Sequence, residues 1–171
     1  MRNTRKMVFM AILTSLSVVL GIIDAQLAAF VTLVPYAKVG LANIVILLSI
    51  IYFDFKDGLT MAILKSVLIG LILGAVSTFF IGFSGTMLSF FGMLFFYKVS
   101  QGKFSLIGIS VIGGVLHSVG QIIAVMTFYK SVAAITFLPQ LLLTSLLTGV
   151  IIGMLTNSIK RYIDNARIFQ K

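Results

Sequence analysis

Cysteine and glutamate are both absent from this chain, histidine occurs once, at His117, and the acidic residues are Asp24, Asp54, Asp57 and Asp164 alone. Without cysteine there is no disulfide, no thiolate metal site and no thiol nucleophile. So few acids and a single imidazole exclude most soluble enzyme chemistry, which needs paired carboxylates or a base beside a nucleophile. Charge of any kind is scarce: 10% of the 171 residues are charged, 60% are hydrophobic, and the mean hydropathy is +1.17. What the chain has instead is apolar runs. A hydrocarbon core of about 30 Å needs roughly 20 helical residues, and several runs approach that length. The composition implies an integral membrane protein whose function rests on the few polar residues kept inside apolar segments.

The net charge of +9 could suggest nucleic acid, but its distribution does not. Arg2, Arg5 and Lys6 precede the first apolar run, and Lys160, Arg161, Arg167 and Lys171 follow the last, as flanks of membrane spans do. The basic-then-apolar N-terminus has the form of a signal peptide, yet no small-residue cleavage site closes the run before Asp24, so a retained first helix is expected. One membrane domain over 1–171 is expected, with no soluble catalytic domain beside it.

Six spans are predicted, at about 7–23, 38–53, 59–80, 84–98, 105–128 and 134–158. Asp54-Phe55-Lys56-Asp57-Gly58 and Ser84-Gly85 are taken as turns, and Ser100-Gln101-Gly102-Lys103 and Lys130-Ser131 as breaks. Backbone groups facing lipid must bond within their own segment, so each span should be helical. An even number of spans puts both termini on one side. With both in the cytoplasm, ten basic residues lie inside and only Lys38 and Lys130 outside. Residues 24–36 then form an outer segment. Pro35 disfavours helix at Val34, and the apolar composition suggests a lid folded onto the helices, the alternative being a plain extension of the first helix. Gly70-xxx-Gly74 and Gly149-xxx-Gly153 are small-xxx-small patterns suited to close helix contact, and Ala11-xxx-Ser15 is a weaker one.

The fifth span carries the sharpest polar signal. Ser110, Gly114, His117 and Gln121 are spaced four, three and four apart and share one helix face. An ionisable residue within a span points to function, while the plainer reading is interhelical hydrogen bonding. At ~1.5 Å per residue, the predicted boundaries place Asn43 and Ser89 roughly 7–8 Å below the outer ends of their helices. Gln121 follows at about 10 Å and His117 about 6 Å deeper. Asn43, Ser89, His117 and Gln121 are therefore the expected lining of an outward-opening pocket with apolar walls, with Lys38 at its mouth to attract an anionic ligand. Lys65 either joins this pocket or snorkels toward the cytoplasm. No catalytic set emerges. Asp54 and Asp57 sit in a turn without further carboxylates for Mg²⁺, and no phosphate-binding glycine loop occurs, so the chain cannot hydrolyse ATP by itself. No metal or cofactor is expected.

Lys38-Val-Gly40-Leu41-Ala42-Asn43, Ser84-Gly85-Thr86-Met87-Leu88-Ser89 and Gly113-Gly114-Val115-Leu116-His117-Ser118-Val119-Gly120-Gln121 resemble the successive motifs of the Gx transporter family, whose members also carry the name heptaprenyl diphosphate synthase component I. The resemblance covers roughly residues 7–158. That family is similar to the substrate-binding S components of energy-coupling factor (ECF) transporters. The resemblance implies six transmembrane helices with a long outer loop after the first. It implies capture of a vitamin-like molecule from outside, and association with a transmembrane coupling subunit and two cytoplasmic ATPases in the bacterial plasma membrane. The coupling contact is commonly an Ala-xxx-Ala pattern on the first helix, from which Ala11 and Ser15 depart. The position of Lys65 is commonly basic.

Three functions follow as expectations. The first is a substrate-binding subunit for a small, partly apolar molecule, vitamin-like or an isoprenoid or quinone precursor, with an anionic ligand among the options. The second is an accessory, non-catalytic membrane subunit of a polyprenyl diphosphate synthase, because four scattered Asp cannot form the aspartate-rich pairs that prenyl transfer requires. The third is a quinone-handling membrane protein, whose 15 Phe and 5 Tyr would line a prenyl site, the plainer reading being that they face lipid.

Overall fold

The computed structural model describes residues 3–31, 40–74, 76–100 and 103–166. They form six α-helices: α1 (Asn3–Val31), α2 (Asn43–Tyr52), α3 (Phe55–Leu73), α4 (Val76–Ser100), α5 (Leu106–Tyr129) and α6 (Leu138–Asn165), the last preceded by a 3-10 turn at Val132–Phe137. There is no strand among the described residues. Four stretches, Thr4–Leu27, Val76–Ser100, Leu106–Tyr129 and Val132–Asn165, are long and apolar enough to cross a bilayer, which is consistent with a multi-pass membrane protein. The ten-residue α2 is about 15 Å long, half a hydrocarbon core.

Several boundaries differ from those the sequence suggests. The first helix does not stop at residue 23 but runs through Asp24 to Val31, because Ala25-Gln26-Leu27-Ala28-Ala29 contains only good helix formers. A lid beginning at Asp24 is thereby corrected, and residues 32–36 lie outside the described part. Ser84-Gly85 is not a hairpin; both residues lie inside α4. The turn between the third and fourth helices is ten residues earlier, at Gly74, whose φ of 65° is left-handed and whose N–H bonds back to Gly70 and Leu71 carbonyls. Gly70-xxx-Gly74 is accordingly a helix end, with Gly70 packed under Phe79, rather than a seam between long helices. Gly58 also lies within a helix, α3 starting directly after Asp54. The second helix begins at Asn43, not residue 38. Ser105 caps α5 by accepting from the Gly108 N–H at 3.1 Å.

Helices α4, α5 and α6 form the tightest part of the bundle. Gly149 and Gly153 of α6 press on the backbone of Val111 and Ile107 of α5, where an added Cβ would lie 2.7 and 2.4 Å from their Cα atoms. Here the small-xxx-small reading holds. The Ser118 and Ser145 hydroxyls meet at 2.5 Å across the same seam. Apolar packing fills the interior on both sides of α2. Val45 and Leu48 join Leu13, Met61 and Ile152, while Ile46 and Leu47 join Phe90, Met93 and Ile109.

One end of the bundle is tied by ions. Lys6 of α1 pairs with Asp54 at 3.1 Å and with Asp57 of α3. Tyr52 of α2 donates to Asp164 of α6 at 2.8 Å, and Lys160 pairs with Asp164 at 2.6 Å. The beginnings of α1 and α3 and the ends of α2 and α6 thus meet at the same end.

Candidate functional site

Because α2 is only half a span, its N-terminal turn starts inside the bundle instead of at a membrane surface. Gly40 and Ala42 are both buried. Non-helical backbone at this depth is tolerated only where protein groups satisfy it. Asp24 supplies one such group: its Oδ2 accepts the Gly40 N–H at 2.8 Å. Gly40 has φ 99°, and a Cβ there would lie 3.2 Å from the Asn43 Nδ2 and 3.8 Å from the His117 Cδ2. The turn then closes through Asn43 N–H to Gly40 carbonyl, 2.9 Å, and α2 follows.

This turn is one wall of a small cavity of about 10 Å³, room for roughly one water molecule. Asp24 and Gly21 of α1 face it, as do Lys65, Ser66 and Ile69 of α3, Gly82 and Thr86 of α4, and His117 of α5. Asp24, Lys65 and His117 are 2%, 4% and 3% exposed, so all three are turned into the protein. The Lys65 Nζ lies 3.4 Å from the Thr86 hydroxyl. Snorkelling is therefore corrected. With α3 spanning Phe55–Leu73, Lys65 stands about 15 Å from its start and about 12 Å from its end. Either surface is remote, whereas Thr86 is within reach.

His117 is fixed by its own helix and by α4. Gln121 Nε2 lies 3.1 Å from His117 Nε2. With the amide nitrogen donating, the imidazole accepts at Nε2 and keeps its proton on Nδ1. Gly85 makes room for this pair: a Cβ there would fall 2.8 Å from the His117 carbonyl oxygen and 3.0 Å from the Gln121 Cγ. Gly120 returns the contact against Ser84 and Gly85 backbone.

The predicted residues divide into groups. His117 and Lys65 line the cavity, and Gln121 reaches it through His117. Asn43 is buried beside Gly40, with neither amide atom hydrogen-bonded, and Ser89, also buried, faces Gly113 with its hydroxyl unbonded. Neither lines the cavity. The shared depth of 7–8 Å is corrected as well: Asn43 is the first residue of α2, and Ser89 lies about 20 Å into α4. Lys38 lies outside the described residues. Ala11 and Ser15 are exposed on α1, among Met7, Val8, Ile12, Leu16 and Val19.

Sequence reasoning missed Asp24, Thr86 and Gly40 as site residues. Asp24 was legible as the one acid inside an apolar run, opposite in charge to the one lysine inside another. Among the described residues no three His or Asp side chains gather as metal ligands. A separate groove of about 870 Å³ lies between α4 and α5, lined by Phe80, Phe83, Phe91 and Phe128.

Comparison with curated proteins and with solved structures gave no match. The family model for heptaprenyl diphosphate synthase component I matches residues 13–159, a stretch that contains every described residue of the cavity. This chain belongs to the heptaprenyl diphosphate synthase component I family.

Proposed function

We propose that the chain is the substrate-binding membrane subunit of an importer, not catalytic by itself, and that the cavity between α1, α3, α4 and α5 is its ligand site. The observation that carries this is the meeting of Asp24, Lys65 and His117, from three helices, at one buried cavity in an otherwise apolar bundle. Ionisable groups at such depth are expensive and mark sites or pathways. The motif resemblance to ECF S components supports the same reading. It adds a coupling subunit and two ATPases as partners, Ala11 and Ser15 on the exposed face of α1 as the docking contact, and Lys38 near the mouth. Both termini face the cytoplasm in this reading, where the ion-paired end of the bundle meets the partners. A cavity of this size must widen to admit a ligand, and in this reading the widened site takes in Asn43, next to Gly40, and Ser89, both buried and without hydrogen bonds. The test is purification of the full chain with its associated proteins, followed by mass spectrometry of the extracted small molecules and of the ATPases. One ligand per chain with ATPase partners supports the reading, and a bare chain that no vitamin-like compound stabilises removes it.

The family name favours a second reading. "Component I" implies a partner subunit, and the phenylalanine-lined groove would suit a prenyl chain. Here the chain is a membrane accessory to a separate prenyl-transferring component. Prenyl transfer lost without this chain and restored by adding it back would establish that role.

A further inference from the structure

Asn43 carries a side chain to which the fold gives no partner. It is 2% exposed, and neither Nδ2 nor Oδ1 is hydrogen-bonded among the described residues. An asparagine at a helix start ordinarily caps it, the side-chain oxygen accepting from N–H groups of the first turn. Asn43 does not. Ala42 is the cap residue of α2, without a side-chain bond, and the Ile44 and Val45 N–H groups donate to the Leu41 and Ala42 carbonyls at 3.3 and 3.2 Å. By contrast, buried Ser49, Ser66 and Thr156 donate to the Ile46, Ala62 and Ile152 carbonyls of their own helices, and Gln121 reaches His117. A buried amide with both ends unpaired is costly, and this one is turned toward the wall of the cavity. Gly40, which lines the cavity with His117, stands between the two side chains. A Cβ on Gly40 would lie 3.2 Å from the Asn43 Nδ2 and 3.8 Å from the His117 Cδ2, so its absence opens the space between amide and imidazole. The φ of 99° keeps that position for glycine and the space open.

A primary amide is satisfied at both ends only by a group that donates to Oδ1 and accepts from Nδ2. We propose that Asn43 is the specificity-determining contact of the widened cavity, and that the ligand presents a donor and an acceptor along one edge. A lactam or ureide within a ring has that edge, and so does a primary carboxamide. In these groups N–H and C=O point the same way, whereas the trans amide of a linear peptide sends them to opposite sides. Esters, ethers and ionised phosphates offer acceptors alone and leave Oδ1 unpaired. A site built around a buried hydrogen-bonding group rejects analogues that lack its partner far more strongly than an apolar pocket rejects a change of size. The selection concerns this edge and not the net charge of the rest of the ligand. It rests on the ligand-binding role proposed above for the same cavity.

The test uses the full chain in lipid nanodiscs. Small molecules extracted from it are identified by mass spectrometry. Thermal stabilisation is then titrated with pairs that differ at the edge: nicotinamide against methyl nicotinate, uracil against its dimethylated form, and lumichrome against its N-methylated forms. The expected result is an extracted compound bearing a lactam, ureide or primary carboxamide, and a preference of at least about 10-fold for the edge-bearing member of any pair that binds. Asn43→Leu, of similar volume, should erase that preference and weaken the favoured member at least about 10-fold. Its ligand-free unfolding temperature should equal or exceed that of the wild type, because an apolar group replaces a buried amide without a partner. A purely structural asparagine behaves the opposite way, so lost stability with unchanged affinity and preference overturns the inference. An extracted ligand without the edge, or equal binding within every pair, overturns it too, and both are read on the wild-type chain even if Asn43→Leu does not fold. Each of these results leaves a ligand-binding protein. No extracted compound and no stabilisation by any probe would remove the ligand-binding reading itself.

Discussion

Gly85 and Gly108 show how differently two helical glycines behave. At Gly85 a methyl group would press on the His117 carbonyl, which is backbone and cannot turn aside. Overpacking of this kind costs about 1–3 kcal/mol, so Gly85→Ala should lower the thermal unfolding temperature in detergent and weaken ligand binding by displacing His117. Gly108 has only the Ser105 hydroxyl at 3.5 Å. Gly108→Ala removes a glycine from the first turn of α5 without a clash and should stabilise by about 0.4–1 kcal/mol, chiefly by restricting the unfolded chain. His117→Ala and Gln121→Ala act on the site: each deletes one half of a buried pair, with an unpaired polar group costing roughly 1–3 kcal/mol. Ligand affinity, measured by calorimetry or thermal shift, should fall further than stability does.

At the level of elements, the turn at Gly74 and the end of α2 make contrasting demands. Nothing lies within 4 Å of a Cβ at Gly74, so the only obstacle to Gly74→Ala is its φ of 65°. A left-handed conformation costs an ordinary residue about 1–2 kcal/mol. Gly74→Asn should cost less than Gly74→Ala, because Asn tolerates this region through local hydrogen bonding. The order of the two unfolding temperatures checks the turn. Tyr52 is tied differently, its hydroxyl donating to Asp164 and lying 3.2 Å from the Lys160 carbonyl. Tyr52→Phe should cost about 1 kcal/mol, and limited proteolysis should then cut the end of α6 sooner. The opposite result, a wild-type cutting rate, would mean that apolar packing of Ile159 and Ile163 holds that end unaided.

For the whole molecule, the absence of cysteine makes the membrane orientation directly measurable, since any introduced thiol is the only one present. Lys56→Cys and Arg161→Cys lie toward the ion-paired end, and Ser131→Cys lies at the opposite end, between α5 and α6. With the basic end in the cytoplasm, a membrane-impermeant maleimide applied to intact cells should label Ser131→Cys and spare the other two until the membrane is opened. Reversed labelling would place the cavity's access on the cytoplasmic side and would contradict capture from outside. All of the chain should sediment with membranes, because α1, α4, α5 and α6 expose large apolar side chains along their length.

Composition and spacing determined much of this protein. The apolar runs dictated helices, since a segment in lipid must satisfy its own backbone, and the four-three-four spacing put His117 and Gln121 on a single buried face of α5. The spacing of Gly149 and Gly153 announced a close helix contact, and the packing names α5 as the partner. Helix ends were less legible. In an apolar chain a glycine marks either a turn or a close contact, and only the packed structure separates Gly74, which ends α3, from Gly85, which seats His117. Tertiary structure alone also decided the direction of Lys65. A long side chain midway along a helix can go to either surface or to the core, and Thr86 of α4, 3.4 Å from the amine, marks the choice made here. The same holds for Asp24 itself, which resembles the start of a loop in sequence. It belongs to the site because a half-length α2 brings Gly40 down to meet it, and no local pattern in the sequence specifies that a helix will begin in the middle of a membrane protein.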